Sequence, residues 1–225
     1  MKTKIILSCL VATTLVSTSC SDFLTEDPKG QLTPSNFFVS QDALDASVYS
    51  LYAKVNGTQT YTNMMYPQWQ GDDMTANPGS NKQAVAELDG FSANNNNKGV
   101  QDAWSKHYTV IKAANLILNN AGDTPVSETE VNIALGKKEF LIFVSASPSL
   151  PYMVRIFGPL PLVKTADELS NDIQLSSVED VYKLIVDDLK AAEGMLPTSY
   201  STAPRNHDGV DAYVTKQAVQ ATLSA

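Results

Sequence analysis

Thiols are nearly absent from this chain. Of its 225 residues only Cys9 and Cys20 are cysteine, and both fall within the first 20. No later thiol can pair with Cys20, so the body of the chain holds neither a disulfide nor a thiolate metal site. Histidine is as scarce. His107 and His207 lie far apart with no acid or cysteine at ligand spacing, and both read as incidental rather than metal-binding. Basic residues are outnumbered, 16 against 24 acidic, for a net charge of −8 and a pI near 4.7. Nucleic-acid binding needs clustered Lys and Arg to neutralise phosphates, and no such stripe exists, so nucleic acid is not an expected partner. Past the amino terminus no apolar run approaches the length of a membrane helix. With 43% hydrophobic and 18% charged residues the chain is globular rather than disordered, and its length suits one or two domains.

What is present starts with an export signal. Lys2 and Lys4 form a positive n-region, Ile5 to Val16 is mostly apolar, and the small polar run Ser17-Thr18-Ser19 follows. Removing residues 1–19 takes away two lysines and no acid, which leaves 14 basic against 24 acidic residues, a balance of −10. Cys9 would be discarded with the signal. The residues upstream of Cys9 resemble a lipobox better, but cleavage there would leave almost no apolar region. Cys20 is therefore the expected lipidation site, although Ser17 stands where Leu is usual. A thioether-linked lipid explains a lone cysteine at that place. The competing reading is an ordinary secretory signal with an incidental cysteine.

Residues 1–19 are thus read as signal peptide, 20–39 as anchor and tether, and 40–225 as a helical domain. Ser40 can cap a helix to about Val55, with Leu44, Val48, Leu51, Tyr52 and Val55 on one face and Gly57 as its stop. Residues 56–99 are rich in Asn, Gly, Asp and Pro without a sustained period, and read as a long surface loop system. A helix is expected from Val100 to Asn120, with Trp104, Tyr108, Ile111, Asn115 and Leu118 as one buried stripe and Gly122 as its end. Ser127 with Glu130 is a capping box that starts another. Ser177, followed by Glu179 and Asp180, starts a third that runs through Leu196, with Val181, Leu184, Ile185, Leu189, Ala192 and Leu196 inward. A last helix begins at Thr215. Several amphipathic helices with almost no alternating pattern argue an all-α fold, and short links suggest a solenoid-like stack.

Several stretches resemble the SusD/RagB family of outer-membrane lipoproteins. They are CSDFLTEDPKGQLTPSNFF at the mature start, WSKHYTVIKAANLIL from Trp104, RIFGPLPLVKTADE from Arg155, SVEDVYKLIVDDLKAAEGMLP, and TKQAVQATLSA. They occur in the family's order across nearly the whole chain. The resemblance implies a TPR-like helical stack with long surface loops. It also implies a lipid anchor at the outer membrane, facing outside. The implied role is capture of glycans or other nutrients for a SusC-type TonB-dependent transporter, without catalysis, cofactor or metal. Ser21 and Asp22 resemble the signal that sends such lipoproteins to the surface. Two departures stand out. Pro148 and Pro151 should break the helix from Ser127 near Ser147, because proline removes a hydrogen bond and clashes with the preceding turn. Family members are also usually far longer, so the chain is expected to be an amino-terminal portion whose last helix, with no following partner, frays.

The loop span YPQWQGDDMTANPGSN is the site candidate. Tyr66 and Trp69 can stack on the apolar faces of sugar rings, while Asp72, Asp73, Asn77 and Asn81 can fix hydroxyls. The bland alternative is that Trp69 pins the loop to the core. Trp104, Tyr108 and Asn115 read as packing residues, with Asn115 bonded to a neighbouring loop. Asp187 and Asp188 are adjacent on a helix, point apart, and read as a solvated face. A secreted carbohydrate-active enzyme using Asp72 or Asp73 is the alternative function, but it needs a second carboxylate at fixed separation, and none is identified. A non-functional truncated family member is the other alternative.

Overall fold

Proline at position 34 opens the first helix, a place where its missing N–H costs nothing. Helix α1 spans Pro34–Phe37 and α2 spans Gln41–Thr58. The structure, a computed structural model, describes residues 32–58, 71, 73–77, 82–144, 150–163, 173–201, 206–207, 210–211 and 213–224. The helices described below all lie in the compact unit Pro34–Ala225. Phe38, within the segment read as tether, is buried in the core cluster of that body.

Ser40 caps α2 through its side chain, whose Oγ accepts the Ala43 N–H at 3.2 Å. Leu44, Val48, Leu51 and Val55 form its buried face, with Tyr52 half-buried beside them. Gly57 does not end the helix, which continues through Thr58. Residues 56–99 are not all loop either. Helix α3, Gln83–Asp89, lies among them and buries Val85 and Leu88.

Helix α4 runs Lys98–Asn120, starting two residues earlier than Val100. The reason is Asn97, whose side-chain oxygen accepts the N–H groups of Gly99 and Val100 at 3.0 and 3.2 Å. Its buried stripe is also rotated from the expected one. Ala103, His107, Val110, Ala114, Asn115 and Ile117 face inward, Trp104, Tyr108 and Ile111 are half-buried, and Leu118 is 41% exposed. Small residues let helices approach closely, so the slim side of α4 turns to its neighbours and the bulky side flanks them.

A single 3₁₀ turn, Ala121–Asp123, leads to α5, Glu128–Val144, where Ser127 Oγ accepts the Glu130 N–H at 3.3 Å. The Glu130 carboxylate accepts from Gln41 Nε2 at 3.3 Å, tying the start of α5 to the start of α2. Helix α6 spans Leu150–Phe157, and the break expected near Ser147, with Pro148, lies outside the described residues. Pro151 sits in the first turn of α6, which tolerates it. Gly158 closes α6 at φ +72°, a left-handed conformation that costs glycine little, with its N–H on the Val154 carbonyl at 2.9 Å.

Strands β1 (Leu160–Pro161) and β2 (Leu175–Ser176) pair antiparallel, Leu160 opposite Ser176. Helix α7 spans Val178–Met195 and carries the expected cap, Ser177 Oγ accepting the Asp180 N–H at 3.1 Å. It buries Val181, Ile185, Leu189 and Ala192, and Leu196 follows them inward. A second short antiparallel pair, β3 (Asn206–His207) with β4 (Val210–Asp211), precedes α8, Lys216–Leu223.

Helix α5 is the hub. It packs most extensively on α7 and also on α2 and α4, α4 lies against α2, and α8 lies against α7. This is the expected all-α, TPR-like stack. Gly136 sets the closeness of the α5–α7 contact, because a Cβ there would come within 2.9 Å of Leu196 Cγ and Met195 Cβ. Helix α8 seats Val219, fully buried, and its Gln220 Nε2 donates to Glu193 Oε1 at 2.8 Å. Among the described residues no helix is long and apolar enough to cross a membrane.

Candidate ligand-binding surface

The residues singled out for ligand contact are only partly visible. Cys20, Tyr66, Trp69, Asp72 and Asn81 lie outside the described residues. Asp73 and Asn77 are described, and both are exposed. A chain of side-chain bonds explains how their segment is held. The Ala76 N–H donates to Asp89 Oδ2 at 2.9 Å, which fastens the loop to the last residue of α3. Asn97 Nδ2 in turn donates to the Ala84 carbonyl and to Glu87 Oε2, at 2.9 and 2.8 Å, which fastens α3 to the start of α4. Asn97 is thus both helix cap and clamp. Its signal in the sequence is an Asn just before a helical period, here the last of four in a row.

Two residues beyond Asp89 stands Phe91, 75% exposed and at φ +53°. The Phe91 N–H reaches the Leu88 carbonyl at 3.1 Å and the Ser92 N–H reaches that of Glu87 at 2.8 Å. This pattern ends a helix with one left-handed residue, usually glycine. Gly90 sits one position too early to take that role, and a bulky aromatic takes it instead. An aromatic in that region of the backbone is strained, and its ring is held out in solvent rather than packed. No reading of the sequence singled out Phe91, because its exposure follows from the hydrogen-bond register of α3.

Two irregular segments are bound to the helices by polar contacts. Tyr108 donates its hydroxyl to the Pro161 carbonyl at 2.9 Å, and Asn115 Nδ2 donates to that of Val163 at 2.8 Å. The expected bond from Asn115 to a neighbouring loop is therefore made, and Trp104 stands edge-on to Phe157 with ring centres 5.0 Å apart. Burial pushes the Tyr108 hydroxyl well above its ordinary range. The second segment precedes α8. Val214 donates its N–H to the Tyr52 hydroxyl at 3.1 Å and accepts from that of Tyr200 at 2.8 Å. Burial pushes Tyr52 up to about 12. Lys137, 1% exposed, places its ammonium 4.7 Å from the centre of the Tyr213 ring and 5.1 Å from that of Tyr200. A lysine so deep needs such partners, and the sequence offers no sign of them.

His107 is buried. Its Nδ1 donates to the Ala103 carbonyl, and burial, with Lys106 nearby, lowers its pKa below the usual value. Asp187 pairs at the surface with Lys183 at 2.8 Å, while Asp188 turns away to line a cavity, so the adjacent pair does point apart but only Asp187 is a plain solvated group. Among the described residues no three His, Cys, Asp or Glu side chains are placed to hold a metal ion.

The fold is a helical stack that carries polar loops on its helix ends. A family model described as starch-binding, associating with outer membrane, of SusD-like type, matches residues 22–225, and the chain belongs to that family. A SusD-like protein of Bacteroides ovatus is 28% identical over 210 residues, which cover 85% of this chain and 34% of that one. SusD-like protein P2 of Formosa agariphila is 27% identical over 198 residues, 84% of this chain and 38% of that one. Among solved structures, a SusD-like protein from Bacteroides fragilis superposes with a TM-score of 0.68 at 21% identity, covering 88% of this chain and 37% of that one. A laminarin-binding SusD-like protein does so with 0.68 at 20%, covering 82% and 39%. The chain thus spans little more than a third of the length of these relatives.

Proposed function

We propose that the protein is a lipid-anchored outer-membrane binding protein, attached through Cys20 and facing outside. It captures glycans or other nutrients and passes them to a SusC-type TonB-dependent transporter without catalysing a reaction. The observation that carries this reading is the match of residues 22–225 to a family described as starch-binding and associating with the outer membrane. The laminarin-binding relative of the same fold favours a sugar ligand. The proposed contact surface is the loop with Tyr66, Trp69, Asp72, Asp73, Asn77 and Asn81, extended by Phe91. A ring held exposed at a strained position is available to stack on a sugar face, a contact of about 0.5–1.5 kcal/mol beyond area burial.

Affinity electrophoresis in gels containing starch or laminarin tests the binding. Retarded migration that Trp69→Ala relieves several-fold, with helicity intact, supports the reading. Phe91→Gly separates strain from contact, because it should raise the melting temperature and weaken retention together. Release of sugar products from either glycan would overturn the binding-only role. Fractionation tests the anchor: Cys20→Ala should leave the membrane fraction while Cys9→Ala stays. A Cys20→Ala protein that remains membrane-bound would sink that assignment.

A further inference from the structure

Asn97 is 2% exposed and uses every hydrogen-bonding capacity of its side chain. Its Oδ1 accepts the N–H groups of Gly99 and Val100, while its Nδ2 donates to the Ala84 carbonyl and to Glu87 Oε2. The oxygen serves α4 and the nitrogen serves α3. One task needs an acceptor and the other a donor, so the two are chemically separable.

Among the described residues α3 has little else to hold it. Its 7 residues are too few for a stable helix in water, Lys82 at its start gives no side-chain cap, and only Val85 and Leu88 are buried. Gln83 Nε2 donates to Glu87 Oε1 at 2.7 Å, which leaves Oε2 of the same carboxylate for Asn97. The exposed surface hangs from this helix. Asp89 takes the Ala76 N–H and so carries the segment of Asp73 and Asn77. The Phe91 and Ser92 N–H groups, on the carbonyls of Leu88 and Glu87, carry the Phe91 ring. A path of bonds thus runs from the start of α4 through Asn97 and α3 to both parts of the surface.

We propose that Asn97 is the positioning residue of the surface around Asp73, Asn77 and Phe91. Its clamp on α3, rather than its cap on α4, sets how well that surface holds a glycan. The ligand in this inference rests on the glycan reading above, and the clamp does not. A loose surface must be ordered at the moment of binding, which weakens affinity, and Asn97 orders it in advance.

Asn97→Asp separates the two tasks. The new carboxylate still accepts from Gly99 and Val100 and is favourable at a helix start. Where Nδ2 donated, however, it meets the Ala84 carbonyl and the Glu87 carboxylate as one more acceptor, and the clamp is lost. Hydrogen exchange in the full chain should quicken by about tenfold or more at Ala76, Phe91 and Ser92, the loss of a hydrogen bond to a charged group. Exchange at Val110 in the middle of α4 and the main thermal transition should not move. Retention in laminarin gels should weaken alongside. Glu87→Gln, added to Asn97→Asp, sets an amide donor opposite the new carboxylate and should restore both readouts. Asn97→Ser, which can cap but is too short to reach α3, should repeat the loosening. Unchanged exchange at Ala76 and Phe91, loss of the whole stack in step with α3, or full laminarin retention by a loosened surface would each overturn the proposal. An unaltered protein retained by neither laminarin nor starch would instead sink the glycan reading, and exchange with its rescue would still decide the clamp.

Discussion

The two flanks of helix α4 do different work. One, through Val110, Ala114 and Ile117, joins the apolar core cluster that the other helices share. The other, through Tyr108 and Asn115, holds the strap 161–163 with two hydrogen bonds, while Trp104 stands edge-on to Phe157 at the end of α6. The difference follows from the backbone. A helix satisfies its own N–H and C=O groups, so a neighbour need only exclude water from its side chains. A strap such as 161–163 brings carbonyls that no helix or long sheet satisfies, and buried side chains must supply the donors. The strap before α8 obeys the same rule, with Tyr52 and Tyr200 on the two polar groups of Val214.

Substitutions on each side can break that contrast. The largest effect belongs to the apolar contact between α2 and its neighbours. Leu51→Ala removes a fully buried side chain and should cost about 2–5 kcal/mol by urea denaturation, with all helices lost together. A strap contact should come next. Asn115→Leu keeps the volume but strips the Val163 carbonyl of its donor, for a loss of about 1–3 kcal/mol, and should raise protease cutting after 160 before global unfolding. If Asn115→Leu were neutral, solvent rather than Asn115 would be satisfying that carbonyl.

Tyr108→Phe removes one hydroxyl from the same strap and keeps the ring, so about 0.5–1.5 kcal/mol is expected from the melt. The smallest effect concerns the one titrating group on the apolar flank. Burial holds His107 below its ordinary value of 6.5, so the unfolded chain takes up its proton first as pH falls. Stability should therefore decline as pH drops below about 6.5, level off once the folded form is also protonated, and be constant in this respect above it. His107→Gln should flatten that part of the stability–pH profile. An unchanged profile would place the acid sensitivity elsewhere.

Much of the frame was legible in advance because its signals are local. Ser40, Ser127 and Ser177 each cap a helix through an oxygen that reaches three residues along, and that chemistry needs no tertiary partner. The site was much less legible. Asp73 and Asn77 were named correctly as loop residues, but Asn97, Asp89 and Phe91, which hold or extend that surface, were not, because their roles depend on α3, a helix of 7 residues inside a polar stretch. Tyr66, Trp69, Asp72 and Asn81 await the tests above.

Sequence alone determined the capped starts of α2, α5 and α7, the all-α class and the likeness to SusD/RagB proteins, since each depends on residue type and near neighbours. Tertiary structure alone decided which side of α4 faces the core. Trp104 and Leu118 are greasier than Ala103 and Ala114, yet helix packing rewards close approach, and the small residues won the centre. Burial of Lys137 beneath two tyrosines, and of Lys138 beside Glu139, was likewise beyond any local rule. A lysine belongs in water until the fold brings a ring or a carboxylate to it, and here those partners come from as far along the chain as Tyr213 and as near as the next residue.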